Sequence, residues 1–486
     1  QETGDRPSRG TMAMWVALPT LASVMLLATT NQICQEVAVI PFLWVLPLTI
    51  YLLSFIVTFA GDRWYSRTVW AIILAVATIG ACVTLFDSLS VDVPIQVAVF
   101  SLTLLAGCMV CHGETVRLKP HPRHLTSFYL AISVGGACGG AFVTLAAPAL
   151  FQGSWEYPLS LWGVWFLFLL VLLRIKGDWR TGAGLKALRM VVGGAVGVLG
   201  AVLIYEADQH YGDAVASSRD FYGVLRVREV SGIDSDQKAY KLNHGAIIHG
   251  LQYHKDPWKR WSTSYYCEDS GVGLTMKHYR ARQSQPQGLQ VGVVGLGAGT
   301  MAAYGEANDS FTFYEINPEV VRYAFGEEAL FTYLGDTAAE VSIVLGDARI
   351  SMAREAAADN VPSYDVLVLD AFSSDSIPVH LLTVEAVELY LQLLKHDGLL
   401  AIHISNRHLD LKPVVWALAG HLGLNAAVRK GEGDKERGCY RTTWMLIGRT
   451  DIFTLPAFEG QLTDDGKDGP QELWTDDYSN IFRVLD

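Results

Sequence analysis

From Met12 to about Ile204 the chain is dominated by long uncharged runs, and from Glu206 onward charged and polar residues are interleaved with apolar ones throughout. A helix that crosses a bilayer needs about 20 mainly apolar residues. Segments of that kind are read at roughly 12–32, 36–60, 69–87, 93–113, 126–150, 157–174 and 188–205, seven in all. The pattern predicts an N-terminal α-helical transmembrane bundle of about seven helices over 12–205, behind a tail at 1–11, and makes the lipid bilayer a partner of this multi-pass cell-membrane protein.

Beyond the helices the period changes. Tyr222–Val227 and Lys238–Leu242 alternate roughly, as strands do, which predicts a small β subdomain over 219–285. A strand at Val291–Gly295, a helix from about Thr300, a strand at Phe311–Ile316, a helix from Pro318 and a strand at Val341–Leu345 follow. That alternation predicts a parallel sheet flanked by helices, an α/β Rossmann-like domain over 286–450, with a C-terminal tail at 451–486.

The first βα junction reads Val293-Val294-Gly295-Leu296-Gly297-Ala298-Gly299-Thr300. Glycines at 295, 297 and 299 let the backbone turn tightly and approach a ligand closely. The next strand ends at Glu315, twenty residues after Gly295, where a carboxylate can accept hydrogen bonds from ribose hydroxyls. Asp347, followed by Ala348, and Asp370 close the next two strands. In open α/β sheets ligands bind at the carboxyl ends of the strands, so these residues predict a nucleoside site. For Asp347 a helix N-cap is an equal alternative.

Composition sharpens the picture. The formal net charge of -12 argues against a nucleic-acid partner, whose phosphates demand Lys and Arg. The seven cysteines are scattered and give no disulfide framework. Cys108-Met109-Val110-Cys111-His112 matches a haem-attachment pattern, but inside an apolar segment, where packing is the better account. His112 and Glu114 are ionisable groups at the end of a span, hence candidates for function or for snorkelling to water. Gly135, Gly136, Gly139 and Gly140 permit close helix packing. No metal site is expected. The first residue, Gln1, suggests a chain that was cleaved or cut from something longer.

The loops between spans alternate in charge: Arg63 and Arg67, then Asp87 and Asp92, then Arg117, Lys119 and Arg123, then Glu156, then Arg174 to Arg189. Basic loops stay in the cytoplasm, which leaves the segment after Ile204 outside. Adenosyl sulfonium donors, however, are cytosolic, and the sequence leaves the side open.

The C-terminal half resembles the spermidine synthase family of aminopropyltransferases, in its membrane-fused form, over roughly 220–450. The resemblance is carried by the glycine turn with Glu315 and Asp347, by Asp370-Ala371-Phe372-Ser373-Ser374-Asp375-Ser376-Ile377-Pro378, similar to the family's Asp-Ser-Ser-Asp-Pro loop, by Leu242-Asn243-His244-Gly245, and by Ser264-Tyr265-Tyr266, similar to the stretch lining its amine pocket. It implies a methyltransferase-type Rossmann fold, a decarboxylated S-adenosylmethionine or S-adenosylmethionine co-substrate without metal, a small cationic amine as acceptor and room for a homodimer. It further implies Asp370 as the proton acceptor, Asp375 and Tyr266 at the amine, and Gly295, Gly297, Gly299, Glu315, Asp347 and Ala348 around the donor. Two departures stand out: Ala298 replaces an aspartate that pairs with the donor's amino group, and His249, Gln252 and Tyr253 replace the family's Gln, Asp and Glu residues, which brings His249 to the donor pocket. A methyltransferase, or a nucleoside-sensing domain of a transporter or interaction protein without catalysis, are the alternatives.

Overall fold

The computed structural model describes residues 7–37, 43–86, 91–174, 182–211, 214–231, 237–245, 247–282, 288–371, 378–406 and 409–485. It divides into two compact units, Gln1–Asp213 and Ala214–Asp486.

The first unit is helical: α1 (Arg9–Asn31), α2 (Val45–Ala60), α3 (Arg67–Phe86), α4 (Val93–Arg117), α5 (Leu125–Ala141), α6 (Ala147–Leu150), α7 (Glu156–Arg174) and α8 (Gly182–Tyr211). Among the described residues, six helical stretches, drawn from α1, α3, α4, α5 with α6, α7 and α8, are long and apolar enough to cross a membrane. The remaining predicted span differs: α2 keeps 16 residues, and part of the segment expected ahead of it, at 38–42, lies outside the described residues. A π-turn at Phe142–Ala146 separates α5 from α6, whose Pro148 has no N–H to continue the ladder.

Small residues let the helices touch. A Cβ on Gly135 would lie 2.5 Å from the Val16 carbonyl oxygen, and one on Gly139 2.4 Å from that of Thr20, so α5 packs backbone to backbone on α1. Glu114 is fully buried and takes a two-pronged ion pair from Arg67, with Nε at 2.6 Å and Nη2 at 2.7 Å, plus the Tyr65 hydroxyl at 2.7 Å. That pairing gives Glu114 a structural role. His112 places Nδ1 3.1 Å from Ser54 Oγ. Cys108 and Cys111 are buried in the packed interior of the bundle, which leaves no room for an attached haem.

The second unit begins with an antiparallel sheet of four strands, β1 (Ala214–Asp220), β2 (Gly223–Ser231), β3 (Lys238–His244) and β4 (Ile247–Tyr253), each paired with the next. Helix α9 (Gly271–Arg282) leads to the main sheet: β5 (Gln290–Val294), β6 (Ser310–Glu315), β7 (Glu340–Leu345), β8 (Tyr364–Leu369), β9 (Leu394–His403), β10 (Asn425–Gly431) and β11 (Thr442–Gly448). Its order is β10-β11-β9-β8-β5-β6-β7; β7, β6, β5, β8 and β9 run parallel, and β11 is antiparallel to both its neighbours, β9 and β10. Between them lie α10 (Pro318–Ala324), α11 (Tyr333–Asp336), α12 (Ala348–Ala356), α13 (Val384–Leu393) and α14 (Lys412–His421).

Both faces of this sheet are covered, which is why its strands are apolar at successive positions. Val291, Val293, Phe311, Phe313, Val366 and Val368 enter one core with α9 and α10. Val294, Tyr314, Leu367 and Leu369 enter the other with α12, α13 and α14. Residues beyond 450 close over the second core, where Trp474 and Val484 are buried.

Two expectations are corrected. The helix foreseen from Thr300 is a five-residue 3-10 turn, Thr300–Tyr304. It ends at Gly305, whose backbone is extended and packs so closely that a Cβ there would lie 2.3 Å from Thr337 Oγ1 and 2.8 Å from Ala339 Cβ. The cysteines, too sparse for a framework, nevertheless include one disulfide, Cys267–Cys439, which joins positions 172 residues apart.

Candidate functional site

The strand order reverses between β5 and β8, since β6 and β7 lie to one side of β5 and β9 to the other. The chain therefore departs in opposite directions from these two strands and leaves a crevice at their carboxyl ends. A cavity of about 570 Å³ occupies it. The main sheet contributes Gly295, Leu296, Gly297, Glu315, Asp347, Ala348, Asp370 and His403 to its wall, and the small sheet contributes Leu242, His244, Ile248 and His249. Of the residues singled out from sequence, Gly295, Gly297, Glu315, Asp347, Ala348, Asp370 and His249 share this cavity.

The glycine turn is held in place by what surrounds it. Gly295 has φ +95°, and a Cβ there would lie 2.3 Å from the Asp370 carbonyl oxygen, so only glycine lets β5 and β8 end side by side. Gly297 has φ +54°, with the His249 carbonyl oxygen 2.6 Å from where a Cβ would be. Gly299 stands apart from the cleft and packs under Leu334. Ala298 is buried against Gly250 of β4, whose own Cβ position would lie 2.3 Å from the alanine methyl. Its side chain therefore points at the small sheet, where a carboxylate has no space.

Glu315 accepts hydrogen bonds from the Leu296 N–H at 2.9 Å through Oε2 and from the Asn317 N–H at 2.8 Å through Oε1. Burial raises its pKa, and these backbone donors oppose the rise. Each oxygen keeps a lone pair for a ribose hydroxyl. Asp347 is both N-cap and cleft residue: Oδ1 accepts from the Ile350 N–H at 2.9 Å, and Oδ2 lies 3.2 Å from His380 Nε2. Asn317 Nδ2 and His249 Nε2 are buried at the cavity wall with no hydrogen-bond partner among the described residues. Buried orphan polar atoms are costly, and a ligand in the cleft can satisfy them. These atoms and the paired carboxylates suit a nucleoside.

The far end of the cavity holds a hydrogen-bonded chain. Asp370 accepts from the Tyr266 hydroxyl through Oδ2, and its Oδ1 lies 2.6 Å from His403 Nδ1. His403 Nε2 lies 2.8 Å from Ser405 Oγ, and the imidazole stacks on Trp444 with centroids 4.7 Å apart. Burial, and then the Asp370 carboxylate, hold the Tyr266 pKa well above its ordinary value, so Tyr266 keeps its proton and donates it. Burial lowers His249 to about 4 and lowers His244 as well, so both rings are neutral at neutral pH. His403, Ser405 and Asn317 were not singled out from sequence. His403 ends β9, and only the pairing of β9 with β8 brings it, with Ser405 bonded to it, to Asp370. Asp375 lies outside the described residues. No group of three or more His, Cys, Asp or Glu suited to a metal ion occurs among the described residues.

Fold and cleft define an α/β domain with a crevice at the carboxyl ends of its parallel strands, preceded by a helical, apolar unit. No family model matches the chain, and no curated protein matches it. Among solved structures it is similar to a probable spermidine synthase from Corynebacterium glutamicum, at 18% identity over 55% of this chain and 98% of that one, with a TM-score of 0.40. It is similar also to spermidine synthase from Thermotoga maritima, at 14% identity over 55% and 82% with a TM-score of 0.35. Human methyltransferase-like protein 13 in complex with SAH matches at 18% identity over 39% and 81%, with a TM-score of 0.28.

Proposed function

We propose that the C-terminal unit is a transferase that holds an adenosyl sulfonium donor in the cleft and passes an alkyl group, aminopropyl in the leading reading, to an amine. The observation that carries this reading is the convergence of Gly295, Glu315, Asp347 and Asp370 on one cavity. A bound sulfonium supplies an electrophilic carbon: the amine nitrogen bonds to it, the C–S bond breaks, and the bonding pair stays on sulfur as a thioether.

The chain's own residues do the rest. Glu315 holds the ribose, and the Gly295–Gly297 turn lets the backbone approach the donor. Ala348 and Asp347 flank the base. Asp370, kept in place by Tyr266 and His403, takes the proton that the attacking nitrogen must lose. Fixing both reactants in one cavity removes the entropic cost of their encounter.

A methyltransferase using the same cleft is the second reading, and it is favoured by Ala298, which offers no carboxylate to the amino group of a decarboxylated donor. Calorimetry of the purified protein with S-adenosylmethionine, its decarboxylated form and 5′-methylthioadenosine separates the two. Preference for the decarboxylated form supports aminopropyl transfer; preference for S-adenosylmethionine supports methyl transfer.

A further inference from the structure

The helical unit is electrically polar, and its contacts show which helix ends share a side. Arg67 at the start of α3 pairs with Glu114 near the end of α4. Trp15 near the start of α1 donates to the Leu118 carbonyl at 2.9 Å, just past α4, and Arg174 at the end of α7 donates to that of Gly10 at 2.7 Å. Arg189, early in α8, donates to the Leu172 carbonyl at 2.8 Å. One end of the bundle thus gathers Arg67, Arg117, Lys119, Arg123, Arg174 and Arg189, while Asp92 and Glu156 begin α4 and α7 at the other. Nearer the start of α7, Trp162 donates to the Val196 carbonyl at 3.2 Å, so α8 runs antiparallel to α7 and finishes at the acidic end.

Basic ends of a helical bundle stay in the cytoplasm. Strand β1 starts at Ala214, three residues after α8 ends at Tyr211, and a return crossing needs about 20. A second, independent observation lies in the other unit. Cys267 and Cys439 are disulfide-bonded across 172 residues, and such bonds persist in oxidising compartments. The bond is buried behind the cleft and ties together two segments that reach it: Tyr265 precedes it on one arm, Tyr440 and Arg441 follow it on the other, and these three line the cavity. Ser264 and Tyr440 reinforce it, with the Ser264 N–H donating to the Gly438 carbonyl at 2.8 Å and the Tyr440 N–H to that of Ser264 at 2.9 Å.

We infer that the C-terminal unit faces the oxidising, extracytoplasmic side, and that its cleft is loaded from there. The second half rests on the nucleoside reading above. Adenosyl sulfonium compounds are built from ATP in the cytosol, so a step that exports an adenosyl nucleoside must precede any reaction in this cleft.

The test uses intact cells expressing the full chain. Alkaline phosphatase fused after Leu485 is expected to be active and a green fluorescent protein there dark. A membrane-impermeant maleimide is expected to label the chain only after an impermeant reductant, with that gain lost in the Cys267→Ser/Cys439→Ser double variant. A fluorescent fusion with an inactive phosphatase, or full labelling of both thiols by a permeant maleimide without reductant, overturns the inference. Calorimetry on purified protein is blind to sidedness, so failure of donor binding is read separately from failure of this orientation.

Discussion

Asp370 Oδ1 lies 2.6 Å from His403 Nδ1, while the opposite oxygen of the same carboxylate takes the Tyr266 hydroxyl. The carboxylate is thereby fixed from both sides, from β9 and from the segment that follows the small sheet.

Asp370→Asn keeps the shape and removes the base. Turnover is expected to fall by about 10²–10⁴-fold, the usual contribution of general-base catalysis. The donor's Kd, read by calorimetry, is expected to stay within a few-fold, since the proposed mechanism assigns Asp370 to the acceptor. A variant that turns over normally removes Asp370 from the mechanism.

His403→Gln tests the positioning of that carboxylate. Hydrogen bonds to charged groups are worth about 1.5–3 kcal/mol, so kcat is expected to drop about ten- to a hundredfold with the acceptor KM little changed. The stack on Trp444 makes thermal stability the necessary control.

Much of this site was legible in the sequence because it rests on local chemistry. Gly295, Glu315, Asp347 and Asp370 each end a strand, and strand ends are marked by a change of period that a single chain displays. His403 and Ser405 were invisible for the opposite reason: they reach Asp370 only through the pairing of β8 with β9, a contact 33 residues away in sequence for His403. The tight turn at Thr300 escaped because it ends at an extended Gly305 packed against Thr337 and Ala339, a tertiary contact. The disulfide escaped because a separation of 172 residues leaves no spacing to read. Glu114, a lone acid in an apolar segment, acquires its meaning only from Arg67, which arrives on another helix.

The pH dependence of stability follows from His249. Its folded pKa, about 4, lies below the ordinary histidine value near 6.5, because burial disfavours the charged ring. The unfolded chain therefore takes up a proton more readily than the folded one as pH falls. Stability is complete above about pH 6.5 and is lost progressively towards pH 4, by about 3 kcal/mol. Thermal melts from pH 7.5 to 4.5 are expected to show that acid limb, and His249→Gln to flatten it.

Gly295→Ala probes the crevice itself. A Cβ at φ +95°, 2.3 Å from the Asp370 carbonyl, forces β5 and β8 apart at a cost of about 1–3 kcal/mol. Donor binding is expected to be lost while the far-ultraviolet circular dichroism is kept. Unchanged affinity shows that the donor does not approach this turn.

In the helical unit, Arg67→Ala leaves Glu114 buried without its ion-pair partner and is expected to destabilise by about 3–5 kcal/mol. The double variant Arg67→Met/Glu114→Gln is expected to recover most of that loss. Thermal denaturation in detergent distinguishes the two; equal loss in both assigns Glu114 a role other than pairing.

The central claim is that one adenosine-shaped cleft unites the glycine turn, Glu315, Asp347 and Asp370. Calorimetric titration of the full-length protein with the decarboxylated sulfonium donor tests it most directly, alongside Glu315→Gln. Saturable one-to-one binding is expected, weakened about ten- to a hundredfold by that substitution, as the loss of a charged hydrogen-bond acceptor implies. No binding of this donor, of S-adenosylmethionine or of 5′-methylthioadenosine, or binding indifferent to Glu315, contradicts it.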